Sequence, residues 1–332
     1  NMNNRFFSIL GKKQIDKIIY ANYRDLFEKV KEAYSLHNQN KTSNPPSYFL
    51  RFPDKPTSRI IALPAALLGE EPVAGIKWIA SNPENIKVGL PRASAVIILN
   101  DYETGFPKAC LEGASISAFR TACSAVIGAE YTVNNKNGIK LGIIGTGYIA
   151  QKILECFLHL QWNIEQVLIQ DKLLENCQKF KSAFPSLDIS IVKNHDQVLR
   201  NSNLIVLATS SIVPYINNLE VLKHNPTILN ISLRDLASNV ILASNNVVDD
   251  IDHILRENTS PHLAYLETGN KNFINTTIGD LINKSYNNFK ADNPTIFSPM
   301  GMGILDLSVA NYIYKQASKN NQVNFINDFF DS

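Results

Sequence analysis

Cysteine is scarce in this chain, four among 332 residues. Cys110, Cys123, Cys156 and Cys177 form no CxxC pair, which excludes a disulfide framework and fits a reducing, cytoplasmic compartment. Long apolar runs are also lacking: none approaches the roughly 18 residues of a membrane span, and the N-terminal stretch carries no secretory apolar core. Asn1 ahead of Met2 reads as an expression remnant. No charge of one sign dominates, with 32 Lys and Arg against 30 Asp and Glu. Without a dense basic block there is no footprint for a phosphate backbone or an anionic membrane, so neither nucleic acid nor membrane is an expected partner. The six histidines show no i, i+4 or HxH spacing, and no metal site is expected.

What is present is a core-forming chain, 45% hydrophobic, whose length suits two domains. Apolar residues at Ile15, Ile18, Ile19, Tyr23, Leu26, Phe27, Val30, Ala33 and Tyr34 predict one amphipathic helix. The Asn-, Pro- and Ser-rich segment 38–56 reads as a loop. Strand-like runs follow at Arg59 to Leu63, Ala74 to Ile79 and Ala95 to Leu99, then turn chemistry around Thr104-Gly105, then a long helix from Ala109 to Tyr131. From Gly138 the texture changes to short apolar strands alternating with helices, at 139–144, 166–170, 189–192, 204–208, 227–231 and 246–248, which predicts βαβ units and a parallel sheet.

The first of those strands ends in Ile143-Ile144-Gly145-Thr146-Gly147-Tyr148-Ile149-Ala150. Gly145 can take a tight turn, Gly147 lets backbone approach a pyrophosphate, and Ala150 is permitted where helix and strand pack closely. The next strand ends in Asp171, where a carboxylate accepts from ribose hydroxyls and repels a 2′-phosphate. The fold class is therefore α/β with a Rossmann doubly wound parallel sheet, and the expected cofactor is NAD. A ligand-free βα turn is the alternative for the glycines, and a helix-start acid for Asp171.

The stretch Leu99-Asn100-Asp101-Tyr102-Glu103-Thr104-Gly105-Phe106-Pro107, with Glu112, Ser117-Ala118-Phe119-Arg120-Thr121-Ala122 and the tail Gly301-Met302-Gly303-Ile304-Leu305-Asp306-Leu307, resembles the ornithine cyclodeaminase and mu-crystallin family. The resemblance implies a Rossmann domain, residues 126–303, inserted into an α+β substrate-binding and dimerisation domain, residues 1–125 and 304–332. Runs 59–64, 75–79 and 92–101 look most like the branch that oxidises N-((2S)-2-amino-2-carboxyethyl)-L-glutamate to 2-oxoglutarate and L-2,3-diaminopropionate for siderophores or antibiotics. A homodimer and a pyridoxal-phosphate-dependent synthase supplying the substrate are further implications. Ornithine cyclodeamination, alanine or ketimine chemistry, and non-catalytic binding of small molecules with a nucleotide are the competing readings.

A substrate with several carboxylates calls for bidentate guanidinium forks, and Arg59, Arg92 and Arg120 are the candidates. For an arbitrary arginine a surface ion pair is the commoner role. The resemblance places Arg59, Lys77 and Arg120 on the amino-acid carboxylate, and Ser94, Arg120 and Thr121 near the cofactor. Lys77 lies in an apolar strand between Ile76 and Trp78, where a lysine is paired or at work. Thr209-Ser210, Ser232-Leu233 and Met300-Gly301, with Gly145 to Ile149 and Asp171, complete the expected cofactor set. Asp235 matches the family's catalytic aspartate, its bland role being a turn acid. Lys77 is the other candidate base. The basic residue and Glu that usually follow the aspartate in the family are missing from Leu236-Ala237-Ser238-Asn239.

Overall fold

The computed structural model describes residues 6–284 and 288–330. The chain divides into two compact units, Asn1–Arg120 with Met302–Ser332, and Thr121–Gly301. Among the described residues no helix is long and apolar enough to cross a membrane.

In the first unit the strands are β1 (Phe7–Leu10), β2 (Thr42–Ser43), β3 (Tyr48–Phe52), β4 (Lys55–Leu67), β5 (Val73–Ser81), β6 (Ala93–Asn100) and β7 (Pro107–Glu112). Its sheet runs from a short strand at Asn324–Ile326 through β1, β7, β6, β5 and β4 to β2, with β3 also paired to β4. Among the described residues β1 and β7 are its one parallel pair. Period-two alternation decides which side chains face the core: Ile97, Leu99, Ala109 and Leu111 are fully buried. The helix Gly303–Lys319 packs on β4, β5 and the helix Tyr23–Asn38.

All nine apolar positions assigned to the first amphipathic helix are buried, but they belong to two helices, α1 (Lys12–Ala21) and α2 (Tyr23–Asn38). Asn22 interrupts them at φ −130°, its side-chain amide donating to the Ile18 carbonyl at 2.8 Å. Asparagine competes for backbone groups in this way, and periodicity alone does not register it. The segment expected as a loop contains β2 and β3. The helix expected from Ala109 starts only at Ala114 and forms α3 (Ala114–Thr132), because Pro107–Glu112 pairs with β6 as β7. A short apolar run does not distinguish strand from helix. The boundary is set by Glu112, whose carboxylate accepts from the Ala114 and Ser115 amides at 2.7 and 3.2 Å.

The second unit holds β8 (Ile139–Ile144), β9 (Ile164–Gln170), β10 (Ile189–Ile191), β11 (Leu204–Leu207), β12 (Thr227–Asn230), β13 (Asn245–Val248), β14 (Ile274–Thr277) and β15 (Thr295–Ser298). Their order is β10, β9, β8, β11, β12, β15, β13, β14, every neighbour parallel. This is the doubly wound sheet the sequence predicts, with β11 and β12 buried throughout as parallel strands covered on both faces are. The order reverses between β8 and β11, the switch point at which such sheets bind ligands. Strands β14 and β15 have no counterpart in the sequence reading. They are four residues each, and Ile-Asn-Thr-Thr and Thr-Ile-Phe-Ser are too short to give a readable apolar pattern.

Candidate functional site

At the switch point, Gly145 has φ +86°, and a Cβ there would lie 2.3 Å from the Ala208 carbonyl oxygen and 2.9 Å from the Thr209 nitrogen. Both are backbone atoms with no freedom to yield, so only glycine fits. Gly147 is the N-cap of α4 (Tyr148–His159) and supplies no side-chain cap. A Cβ on it would meet nothing within 4 Å. The first amides of a twelve-residue helix thus carry no side-chain cap from Gly147, and helix N-termini of this kind accept a pyrophosphate. Tyr148 is exposed and Ile149 half-buried beside it.

Asp171, expected on a ribose, is committed to the protein. One carboxylate oxygen accepts from the Thr146 amide at 2.9 Å and its hydroxyl at 3.2 Å, the other from the Leu173 amide at 2.9 Å and Asn176 Nδ2 at 3.2 Å. Four donors match the roughly four lone-pair sites of a carboxylate. In this structure Asp171 fastens the glycine turn, and a ribose would have to displace one of those donors.

Beyond β11 and β12 lie the other expected loops. Thr209 is half-buried and Ser210 exposed. Asp235 is fully buried; the Thr209 hydroxyl donates to one of its oxygens and the Ser232 hydroxyl to the other. Its backbone carbonyl accepts from the Tyr215 and Ile216 amides, each at 3.0 Å. Burial and the neighbouring Asp235 push the Tyr215 phenol up. Leu233, buried at φ +70°, holds a left-handed conformation that costs a non-glycine residue strain. Met300 and Gly301 are held by a residue the sequence reading did not single out: Asp249 is buried and accepts from their amides at 3.0 and 2.8 Å. Burial raises its carboxyl above the ordinary value.

Within the first unit, Lys77 on β5 is 2% exposed. Its ammonium lies 2.9 Å from Asp306 Oδ2 and donates to Ser117 Oγ at 3.1 Å. Arg120 Nε donates to the other oxygen of Asp306 at 3.1 Å. Burial first, and Arg120 second, bring the Lys77 ammonium down to about 8, against the opposing pull of Asp306. Two cations share one carboxylate, so the cluster is cationic and suits an anionic substrate group.

Arg59 lies opposite Ser81 across β4 and β5, and Arg92 Nε donates to Ser81 Oγ at 3.5 Å. Arg59 and Ser81 thus share the sheet face of Lys77, roughly 13 Å further along β5, and Arg92 reaches Ser81 from the bend that precedes β6. Ser94 is not part of this group. It pairs with Ala80 whereas Lys77 pairs with Ile97, so strand alternation turns it to the opposite face. Thr121 opens the second unit within α3. Sequence reasoning missed Asp306 as well as Asp249. Asp306 stood in a quoted motif, and its signal was an acid inside the apolar run Ile304-Leu305-Asp306-Leu307.

The profile of the ornithine cyclodeaminase/mu-crystallin family matches residues 12–321. An N-((2S)-2-amino-2-carboxyethyl)-L-glutamate dehydrogenase of Staphylococcus aureus is 32% identical over 96% of this chain and 97% of its own. A solved archaeal alanine dehydrogenase dimer with bound NAD is similar at TM-score 0.87 and 27% identity, over 98% of this chain and 100% of that one. A Thermococcus litoralis Δ1-pyrroline-2-carboxylate reductase in complex with NADH and L-proline shares the fold at TM-score 0.87 and 24% identity, over 96% and 100%.

Proposed function

The chain belongs to the ornithine cyclodeaminase/mu-crystallin family, and on that footing we propose that it is an NAD-dependent dehydrogenase of an anionic amino-acid conjugate. The substrate is N-((2S)-2-amino-2-carboxyethyl)-L-glutamate. Its secondary amine is oxidised at the glutamate α-carbon, water adds to the resulting C=N bond, and the C–N bond breaks to give 2-oxoglutarate and L-2,3-diaminopropionate. The Staphylococcus relative supports this substrate. The observation that carries the reading is the buried Lys77–Asp306–Arg120 cluster with its excess of positive charge.

NAD supplies the hydride acceptor when bound. Gly145 to Ile149 are the residues that hold its pyrophosphate, with Ser210 and the Met300–Gly301 turn lining the same end of the sheet. Arg120 engages Asp306 through Nε alone, so its two terminal nitrogens are the fork that grips a substrate carboxylate. Arg59, register partner of Ser81, and Arg92, bonded to the Ser81 hydroxyl, serve a second carboxylate. Lys77 is the base, since an amine brought to about 8 exchanges a proton near neutral pH. Asp235, whose oxygens are taken by Thr209 and Ser232, orients those hydroxyls.

A homodimer fits the outer face of the first unit's sheet. Tyr48, Trp78 and Val96 are 77%, 39% and 40% exposed and lie with Ala62 in one row across β3, β4, β5 and β6. Such an apolar row is an interface composition, and the archaeal relative is a dimer. Supply of siderophore or antibiotic precursors in the cytoplasm, downstream of a pyridoxal-phosphate-dependent synthase, completes the proposal. Incubating the purified chain with NAD and the glutamate conjugate tests it: NADH and 2-oxoglutarate should form in equal amounts. Proline and ammonia from ornithine, with no reaction of the conjugate, would replace it.

A further inference from the structure

The helix Gly303–Lys319 starts hard against β4: a Cβ on Gly303 would lie 2.8 Å from the Leu63 carbonyl oxygen. Leu63 is the register partner of Lys77. The close approach brings the first turn of that helix, and Asp306 within it, over the ammonium. A carboxylate with no exposed surface is costly to desolvate, and a single cation would compensate it. Here there are two, each on its own oxygen: Lys77 Nζ on Oδ2 at 2.9 Å and Arg120 Nε on Oδ1 at 3.1 Å. The carboxylate thus sits between an amine and a guanidinium that bonds it through Nε.

We propose that Asp306 is a positioning residue, which fixes the separation of Lys77 from Arg120 and so aligns the substrate carboxylate held by Arg120 with the amine that takes the proton. The alignment part rests on the function proposed above; the coupling of Asp306 to Lys77 does not. Among the described residues, Lys77 has Leu63 of β4 and Ile97 of β6 as register partners and Ser117, Arg120 and Asp306 as polar or charged neighbours. Asp306 is the one anion among them, opposing burial and Arg120. Removing its charge therefore moves the Lys77 midpoint to lower pH, by roughly 1–3 units for a partner at this range.

The test compares full-length wild type, Asp306→Asn and Asp306→Glu, all saturated with NAD. Lys77 is followed by NMR of ε-13C-lysine, assigned with Lys77→Arg, and kcat and KM are followed against pH on the conjugate. Asn keeps the shape of Asp and removes the charge; Glu keeps the charge and moves it by one methylene. Expected for Asp306→Asn are the downward shift of the Lys77 midpoint, the same shift in the pH profile, and a loss of kcat of about 10–100-fold, the scale for misplacement near 1 Å. Expected for Asp306→Glu is a midpoint within about half a unit of wild type, with kcat still reduced. Three outcomes overturn the proposal: an unmoved Lys77 midpoint in folded Asp306→Asn, full kcat in that variant, or failure of both variants to fold, which makes Asp306 a structural ion. If the midpoint moves as expected but wild type does not turn over the conjugate, the substrate reading falls and the coupling stands.

Discussion

The two glycines of the nucleotide turn separate folding from binding, and substituting each with alanine shows how. At Gly145 a methyl group meets the Ala208 carbonyl at 2.3 Å and the Thr209 nitrogen at 2.9 Å, on a residue at φ +86°. The left-handed conformation costs alanine roughly 1–2 kcal/mol, and forcing β8 from the loop after β11 adds about 1–3 kcal/mol of overpacking. A loss of about 2–5 kcal/mol lowers the melting temperature by roughly 5–15 °C for a unit of this size. At Gly147 a methyl group meets nothing within 4 Å and φ is −79°, so stability is retained within about 0.5 kcal/mol. A methyl there keeps backbone from approaching a pyrophosphate closely, and NAD affinity is expected to fall by about tenfold or more, the equivalent of roughly 1.4 kcal/mol. Thermal melts without nucleotide and NAD titrations followed by intrinsic fluorescence read the two effects separately. The reasoning is refuted if Gly145→Ala melts within 2 °C of wild type (about 0.5–1 kcal/mol), or if Gly147→Ala binds NAD as wild type does.

Removing the Lys77 amine should abolish turnover without lowering stability. Its ammonium is depressed to about 8 by burial, so between that value and the unfolded one the unfolded chain binds more protons, and the folding penalty is full below pH 8 and fades as pH rises towards about 10.4. Lys77→Met is accordingly expected to melt at or above wild type at pH 7, leaving Asp306 and Arg120 balanced; a clear drop in melting temperature contradicts this. In wild type, turnover should rise with pH along a limb centred near 8. Asp235→Asn turns an amide towards hydroxyls that donate to both carboxylate oxygens, costing about 1–3 kcal/mol of stability and lowering kcat; unchanged turnover removes Asp235 from the mechanism. Trp78→Asp places a charge in the exposed apolar row; light scattering is expected to give a dimer mass for wild type and a monomer mass for the variant, and a wild-type monomer contradicts the proposed interface.

The glycine turn was legible because its signal is local: strand, two glycines, helix, strand and acid follow in order, and one φ angle demands glycine at position 145. The use of Asp171 was only half legible. Its place at the end of β9 follows from the sequence, but the donors that fill its oxygens come from Thr146, 25 residues earlier, as well as from Leu173 and Asn176. Lys77 and Arg120 could be singled out by residue type and setting. Their common partner could not, because Asp306 reaches them across 229 and 186 residues and only the packing of the last helix on β4 and β5 brings it there. Strand β7 was misassigned for a related reason: Ala109 to Leu111 is apolar enough for either structure, and pairing with β6 decides it.

The most direct measurement of the central claim is a stoichiometric one. Purified enzyme, NAD and N-((2S)-2-amino-2-carboxyethyl)-L-glutamate should yield NADH, 2-oxoglutarate and L-2,3-diaminopropionate in a 1:1:1 ratio, roughly one of each per turnover as the oxidation requires. Reduction of NAD by alanine alone, or no reduction with the conjugate at any pH along the Lys77 limb, would contradict it.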